Sequence, residues 1–237
     1  MKIYYIYHSC FVVEDEKNIL IFDYYKTPKK SDSKIDILDF VKRKDKQVYI
    51  FASHIHYDHF NPEILNWYEL NNDIKYIFSS DIKTNLKNLD ITFLEENQEK
   101  KILDINIKTY GSTDEGVSFW IELKEKVLFY AGDLNWWAWT DDTLEEEKYM
   151  KDKFQEIIKD IENNNRRIDI TFFPVDPRLE ENMYKGGEYF INKLEPKYFV
   201  PMHFDKGYTE IEKFRKEYSS IKTKILSIEN ILEEVNY

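Results

Sequence analysis

Short apolar runs separated by polar turns dominate the first half of the chain. Lys2–Tyr7, Cys10–Glu14 and Asn18–Tyr25 are rich in Ile, Val, Tyr and Phe, which favour β-strands. Gln47–Ser53 is almost continuously apolar, as expected for a strand with both faces covered. The same composition predicts further strands at 75–80, 91–96, 102–110, 116–123 and 126–132. The last two of these form a predicted hairpin.

Helical patterns interrupt the strands. A weak helix is predicted over 36–44, and another begins with Asn61 at its N-cap and Pro62 at its first position. Apolar residues near helical spacing predict a long helix from about Thr143 to Asn164. Strands and helices then alternate, with strands at 168–176, 198–203 and 224–229 and helices at 186–195 and 209–221.

Strands alone, followed by strands that alternate with helices, indicate an α/β protein with two sheets and helices outside them. The chain has 237 residues and contains neither a linker-like segment nor a repeat period. We therefore predict a single domain over residues 1–237.

Composition limits the environment and the partners. The 34 basic residues do not balance the 45 acidic residues, and the formal net charge of −11 disfavours nucleic acid as a partner. No apolar run reaches the roughly 18 residues that span a bilayer, so no membrane association is expected. Cys10 is the only cysteine, which fits a reducing cytoplasm, and nothing in the sequence directs export.

The chemistry is concentrated after the apolar run 47–53. His54, His56, Asp58 and His59 fall within six residues, and the whole chain has only five histidines. Imidazole and carboxylate groups are good ligands for Zn, Mn or Fe. A polar loop with incidental histidines is the alternative, but this density indicates a metal site.

Three further residues end apolar runs in the same way: His8, Asp133 and His203. Sheets of this kind place ligands at the carboxyl ends of their strands. Each residue alone fits a structural edge position. Together with the loop at 54–59, they indicate one site.

The order His54-Ile55-His56-Tyr57-Asp58-His59, followed by "AGD" at Asp133 and "PMH" at His203, resembles the metallo-β-lactamase superfamily. That resemblance implies a four-layer αββα sandwich with a metal centre at one edge of the two sheets. It implies that His54 and His56 hold a first metal, that Asp58, His59 and His203 hold a second, and that Asp133 bridges them. Asp58 would also act as the catalytic acid–base group.

One position departs from the family pattern. The family supplies a third histidine to the first metal, but the corresponding turn here carries Ser112. Asp114 or a water could replace that ligand, or the first site could be weak, and Asp114 fits an ordinary turn residue equally well. One or two divalent ions are therefore expected, with Zn favoured and Mn or Fe compatible.

"YHSCFVVE" resembles the branch that contains L-ascorbate-6-phosphate lactonase. His8 would then bind substrate or shuttle a proton, or it would only hydrogen-bond a neighbouring loop. Trp136, Trp137 and Trp139 follow Asp133, and at least one of them, Trp136 foremost, is a candidate for the pocket wall.

Arg178 is a third candidate substrate residue. It could clamp a phosphate or carboxylate group of the substrate. A salt bridge with Asp176 or Glu180 is the structural alternative.

Taken together, these patterns predict a cytoplasmic metal-dependent hydrolase that acts on a lactone, an ester or a phosphorylated metabolite. The alternatives are a phosphodiesterase or nuclease of the same superfamily and a non-catalytic metal-binding sensor. The missing third histidine is the only support for the sensor.

Overall fold

The computed structural model describes residues 1–29, 33–84, 89–164, 166–218 and 222–236. The chain divides into two compact units. Unit 1 comprises Met1–Leu94 and Ile228–Asn236, and unit 2 comprises Glu95–Ser227. The single domain stays a prediction. No helix in the described ranges is both long and apolar enough to cross a membrane.

Unit 1 is built on a seven-stranded sheet with the order β14-β1-β2-β3-β4-β5-β6. Strands β1, β2 and β3 pair antiparallel, β14 pairs antiparallel with β1, and β3 to β6 pair parallel. The strands are β1 Lys2–Tyr7, β2 Cys10–Glu14, β3 Asn18–Phe22, β4 Gln47–Ala52, β5 Lys75–Ser79, β6 Ile91–Leu94 and β14 Glu233–Val235.

Two short helices cover one face of this sheet. Helix α1, Ile37–Val41, begins at Asp36, whose side chain accepts from the Leu38 N–H. A 3-10 helix spans Pro62–Glu69, and the Asn61 side chain caps it. Their apolar side chains join the buried strand residues in one core cluster. Burial of this apolar surface is the main favourable term in the folding of the unit.

Unit 2 is built on a second seven-stranded sheet with the order β13-β12-β11-β10-β9-β8-β7. Strands β7 to β10 pair antiparallel, and β10 to β13 pair parallel. The strands are β7 Glu99–Ile102, β8 Ile105–Tyr110, β9 Ser118–Leu123, β10 Lys126–Tyr130, β11 Ile170–Pro174, β12 Tyr198–Met202 and β13 Lys224–Ile225.

Three helices pack on the second sheet through phenylalanines. They are α2 Leu144–Glu162, α3 Lys185–Leu194 and α4 Tyr208–Glu217. Phe154 of α2 contacts Phe173, Phe190 of α3 contacts Phe173 and Phe199, and Phe214 of α4 contacts Phe199. Two further residues bear on helix formation: Thr143 and Glu146 form a capping box that fixes the start of α2.

Most predicted elements are confirmed, and some predictions were wrong. The predicted strand 102–110 is broken, because Leu103 turns the backbone at φ 52 and makes a hairpin of β7 and β8. No strand was predicted where β14 lies. Of the predicted strand 224–229, only Lys224–Ile225 forms a strand, which is β13. The predicted helix 209–221 ends at Glu217, and residues 219–221 lie outside the described residues.

Gly186 is the second residue of α3. A Cβ at this position would lie 1.9 Å from Asn135 Oδ1, an oxygen that accepts from the Trp136 N–H. Asn135 N–H in turn donates to Thr113 Oγ1 at 2.9 Å. The glycine therefore lets α3 approach the loop that follows β10.

Gly186→Ala is expected to lower the free energy of unfolding by about 1–3 kcal/mol, because the new methyl group forces Asn135 to move. Denaturant unfolding measures the change. Asn192→Ala, at an exposed position of the same helix, is the control and should leave stability within about 0.5 kcal/mol. Equal stability of the two variants would contradict the close approach.

Candidate metal centre

The loop after β4 is folded tightly on itself. The N–H groups of His59 and Phe60 both donate to the His56 carbonyl, at 2.9 and 2.8 Å. His54 and His59 are fully buried, and their ring centroids are 4.1 Å apart. His56 is exposed, and its ring lies 4.8 Å from that of His54. The sequence motif therefore folds into a compact group of imidazoles.

Asp23, which follows β3, organises this loop. Because β3 and β4 are parallel neighbours, Asp23 lies beside the residues that follow β4. Its Oδ1 accepts from the Ser53 N–H at 2.7 Å, and its Oδ2 accepts from the Ser53 hydroxyl at 2.6 Å. Oδ2 also lies 2.7 Å from His59 Nδ1. The Asp23 side chain is completely buried, and the backbone of this residue has a φ of 42°.

These hydrogen bonds assign the histidine tautomers. Asp23 is an acceptor, so His59 donates from Nδ1 and presents Nε2 as the metal-binding nitrogen. The Ser53 hydroxyl gives its proton to Asp23 and accepts from His54 Nδ1, 2.9 Å away. His54 therefore also presents Nε2. A carboxylate behind a histidine in this way is typical of metal sites.

His8 extends the group in unit 1. The metal-binding atoms of His8, Asp58 and His59 all lie within 4.8 Å of one another. His8 Nε2 is 3.4 Å from Asp58 Oδ2. Burial would raise the pKa of Asp58, but the contact with His8 and the proximity of His59 lower it below its ordinary value. Asp58 is therefore ionised and suited to hold a cation.

The backbone at His8 is itself unusual. His8 follows β1 at φ 55, in the left-handed region that non-glycine residues avoid. Its N–H donates to the hydroxyl of buried Tyr5 at 3.0 Å. Such conformations cost about 1–3 kcal/mol and concentrate at functional sites.

Unit 2 repeats the same arrangement. His203 follows β12, and Asp176 follows the adjacent parallel strand β11, so the two side chains meet. His203 Nδ1 donates to Asp176 Oδ2 at 2.9 Å and presents Nε2, which is 3.5 Å from Asp133 Oδ1. Asp133 follows β10, the next parallel strand. Three strand ends thus bring together the predicted ligands of this unit.

Arg178 pairs with Asp176. Its Nε and Nη2 lie 2.8 and 2.5 Å from Asp176 Oδ2. Burial raises the pKa of Asp176, but the hydrogen bonds from His203 and Arg178 together outweigh burial and lower this pKa to about 2. This is the salt bridge that the sequence left open for Arg178. Its substrate-binding role stays a prediction.

The turn at Ser112 carries a candidate replacement ligand. Ser112 is buried, and its hydroxyl accepts from the Asp114 N–H at 3.2 Å. The neighbouring Thr113 hydroxyl donates to the Asn135 carbonyl at 2.6 Å, which ties this turn to the loop after β10. Carboxylate oxygens of Asp114 and Asp133 lie within 4.8 Å of each other.

The tryptophans after Asp133 separate into two environments. Trp136 packs against Phe154 of α2 and Tyr189 of α3. Trp137 instead donates from Nε1 to the Asp133 carbonyl at 2.9 Å, and its ring lies 5.6 Å from His203. Trp139 stacks on Trp137, with 8° between the ring planes. The substrate-binding role predicted for Trp136 stays a prediction, and it is Trp137 that contacts His203 and Asp133.

The residues present fit a divalent metal by their chemistry. Unit 1 supplies His54 and His59, and unit 2 supplies His203; each of these buried imidazoles has its Nδ1 held by a hydrogen bond, which leaves Nε2 as the coordinating atom. Each unit also supplies carboxylates within 4.8 Å of a further candidate ligand. Nitrogen and carboxylate oxygen donors together suit Zn, Mn and Fe.

The sequence comparison gives the family. Residues 2–203 match the β-lactamase superfamily domain family. The chain belongs to this family. No curated protein matches the sequence. The α/β metallo-β-lactamase fold is therefore confirmed, with two mixed sheets and associated helices.

Solved structures of the same fold are distant in sequence. Igni18, a metallo hydrolase from the hyperthermophilic archaeon Ignicoccus hospitalis, superimposes with TM-score 0.69 at 17% identity over 99% of this chain and 97% of Igni18. An isothiocyanate hydrolase from Delia radicum gut bacteria gives TM-score 0.59 at 14% identity over 100% and 99%.

A third similar structure belongs to a larger protein. CmlA, a diiron β-hydroxylase from Streptomyces venezuelae, superimposes with TM-score 0.68 at 9% identity over 100% of this chain. The match covers 54% of CmlA, so this chain spans about half of that protein's length.

Asp23 and Ser53 were missed by the sequence analysis, and Asp176 was not recognised as the partner of His203. Asp23 lies 36 residues before His59, so no local spacing could connect them. The one sequence signal is an acidic residue directly after a buried strand, and this signal is weak alone.

Asp23→Asn should weaken metal binding about 10- to 100-fold, because one amide oxygen cannot accept from all three donors and the histidines lose their orientation. Competition with a fluorescent chelator measures the affinity. Asp15→Asn, in the turn between β2 and β3, is the control and should bind metal normally. Unchanged affinity in Asp23→Asn would contradict the orienting role.

Proposed function

We propose that this protein is a metal-dependent hydrolase of a small-molecule substrate. The observation that carries the proposal is the pair of buried Asp–His hydrogen bonds, Asp23–His59 and Asp176–His203, which present imidazole nitrogens as ligands. Membership of the β-lactamase superfamily supports it, and so does the similarity in fold to Igni18 and to the isothiocyanate hydrolase.

The proposed ligands follow the order of the family motifs and the geometry within each unit. Unit 1 would supply His54 and His56 to a first ion and Asp58 and His59 to a second. In unit 2 the proposed ligands are Asp133 and His203, and the family resemblance assigns Asp133 the bridging position and His203 the second ion.

Asp114 is the proposed substitute for the missing third histidine. Two carboxylates as close as Asp114 and Asp133 repel each other when both are ionised, and a shared cation removes this penalty. An additional carboxylate ligand also favours harder metals, so Mn and Fe become stronger candidates beside Zn.

When bound, a divalent ion lowers the pKa of its water to about 7 and so supplies a hydroxide nucleophile at neutral pH. The chain's residues would then control position and protons. Asp58, held by His8, would take up the proton released during the reaction. Asp23 and Asp176 would keep the histidine ligands in their coordinating tautomers.

The lactonase-like branch supplies a finer proposal for the substrate. The closeness of His8 to Asp58 supports a role for His8 in substrate binding or proton transfer, as the resemblance implies. A lactone, ester or phosphorylated metabolite remains the proposed class. The cytoplasmic location stays a prediction.

Metal removal should abolish hydrolysis, and Zn, Mn or Fe should restore it, because the nucleophile depends on the ion. A chelator-treated sample would be screened on lactone, ester and phosphodiester substrates.

Asp58→Ala and Asp133→Ala should lose at least about 100-fold in kcat/KM. Full activity of either variant would contradict the assignment, and inactivity of all metal-loaded forms would favour a sensor.

Asp114→Ala should reduce the tightly held metal from about two ions to about one per chain, because the first ion would keep only two histidines and the bridge. Elemental analysis of protein purified without added metal provides the count. Asp104→Ala, in the turn between β7 and β8, is the control. Two tightly bound ions in Asp114→Ala would show that Asp114 is not a ligand.

Oxygen-dependent hydroxylation is a second candidate. The carboxylate pair Asp114 and Asp133 suits iron, and CmlA, of the same fold, is a diiron β-hydroxylase. Oxygen consumption by the iron-loaded protein with a chemical reductant would distinguish the two functions. Equal turnover with and without oxygen would exclude hydroxylation.

A further inference from the structure

Unit 2 contains a cleft between the loop that follows β10 and the start of α2. Its volume is about 400 Å³, and it is lined by Trp137, Trp139, Asp142, Glu145, Glu146, Tyr149 and Met150. One wall is the near-parallel pair of tryptophans that follows β10. The other wall is the first part of α2.

The aromatic walls are held in place but remain accessible. Trp137 is almost buried, and its Nε1 donates to the Asp133 carbonyl. Trp139 is 37% exposed and Tyr149 is 64% exposed. Large exposed aromatic side chains around a concave surface are typical of ligand-binding sites.

The charge of the cleft is negative. Asp142 Oδ2 accepts from the Trp139 N–H at 3.0 Å, so this carboxylate is fixed beside the tryptophan. Glu146 caps α2, and its hydrogen bonds from Thr143 lower its pKa, which keeps it ionised. Glu145 adds a third carboxylate. Among the described residues that line the cleft, none is basic.

Arg178 lies near the cleft but does not reverse this charge. The Arg178 guanidinium is 5.8 Å from the centroid of the Trp139 ring. Arg178 is paired with Asp176, so the pair contributes no net charge. The contact also shows that this tryptophan is placed where a cation can approach it.

We propose that the cleft binds an organic cation, namely an alkylammonium or arylammonium group of the substrate. Aromatic faces and carboxylates attract such a group together, whereas a neutral apolar group would gain only from the aromatic walls. The Trp137 ring lies 5.6 Å from His203, so a ligand in the cleft would be close to a proposed metal ligand. The inference rests on the proposed function only in naming this group as part of the substrate.

The test is calorimetric titration of the full chain with benzyltrimethylammonium, benzyl alcohol and benzoate at low ionic strength. We expect the cation to bind at least about tenfold more tightly than the neutral alcohol. Benzoate should not bind. Raising the salt concentration to about 1 M should weaken binding of the cation and leave the affinity for the alcohol unchanged.

Variants at two positions separate the aromatic and the electrostatic contributions. Trp139→Ala should lower the affinity for the cation at least about fivefold, and Trp139→Phe should retain part of that affinity. Glu145→Gln should lower the affinity for the cation by roughly threefold and leave the affinity for benzyl alcohol unchanged. Glu125→Gln, in the hairpin turn at the opposite end of β10, is the matched control. Thermal unfolding checks that each variant is folded.

Equal affinity for the cation and the alcohol, or no saturable binding of the cation, would overturn the proposal. So would a Glu145→Gln variant that binds the cation as tightly as the unaltered protein. Because the titration measures binding without turnover, it also works on metal-stripped protein. Failure of metal-dependent hydrolysis would overturn the proposed function alone, and failure of cation selectivity would overturn the cleft assignment alone.

Discussion

The hydrogen bond between a buried carboxylate and a histidine is the interaction on which the candidate centre depends. Asp23 holds His59 in unit 1, and Asp176 holds His203 in unit 2. A polar side chain buried without hydrogen-bond partners costs free energy, so the donors around each aspartate help to keep it buried. The ligand orientation is thus coupled to the stability of each unit.

Parallel strand pairing makes these contacts geometrically available. Neighbouring parallel strands end at the same edge, so residues that are distant in sequence become adjacent there. In unit 1 this brings Asp23 beside Ser53, and in unit 2 it brings Asp176 beside His203. The antiparallel halves of the two sheets contribute fewer candidate ligands: β1 leads into His8, and β8 leads into the turn that carries Asp114.

Much of the fold was predictable because its signals are local. The capping box at Thr143, the N-cap at Asn61 and the apolar run before His54 each lie within a few residues of the element they define. The turn at Leu103 was not predictable, because leucine carries no local preference for the left-handed conformation it adopts there. Strand β14 exists only through its pairing with β1.

The sequence by itself determined the types and the order of the candidate ligands and the α/β class, because motif spacing and hydrophobic periodicity are properties of neighbouring residues. Only the tertiary structure decided which partner orients each histidine, that Arg178 pairs with Asp176, and that Trp137 and not Trp136 lies beside His203. Those outcomes depend on strand pairing and side-chain packing between distant segments. No local pattern records such contacts, because their energies arise only when the chain has folded.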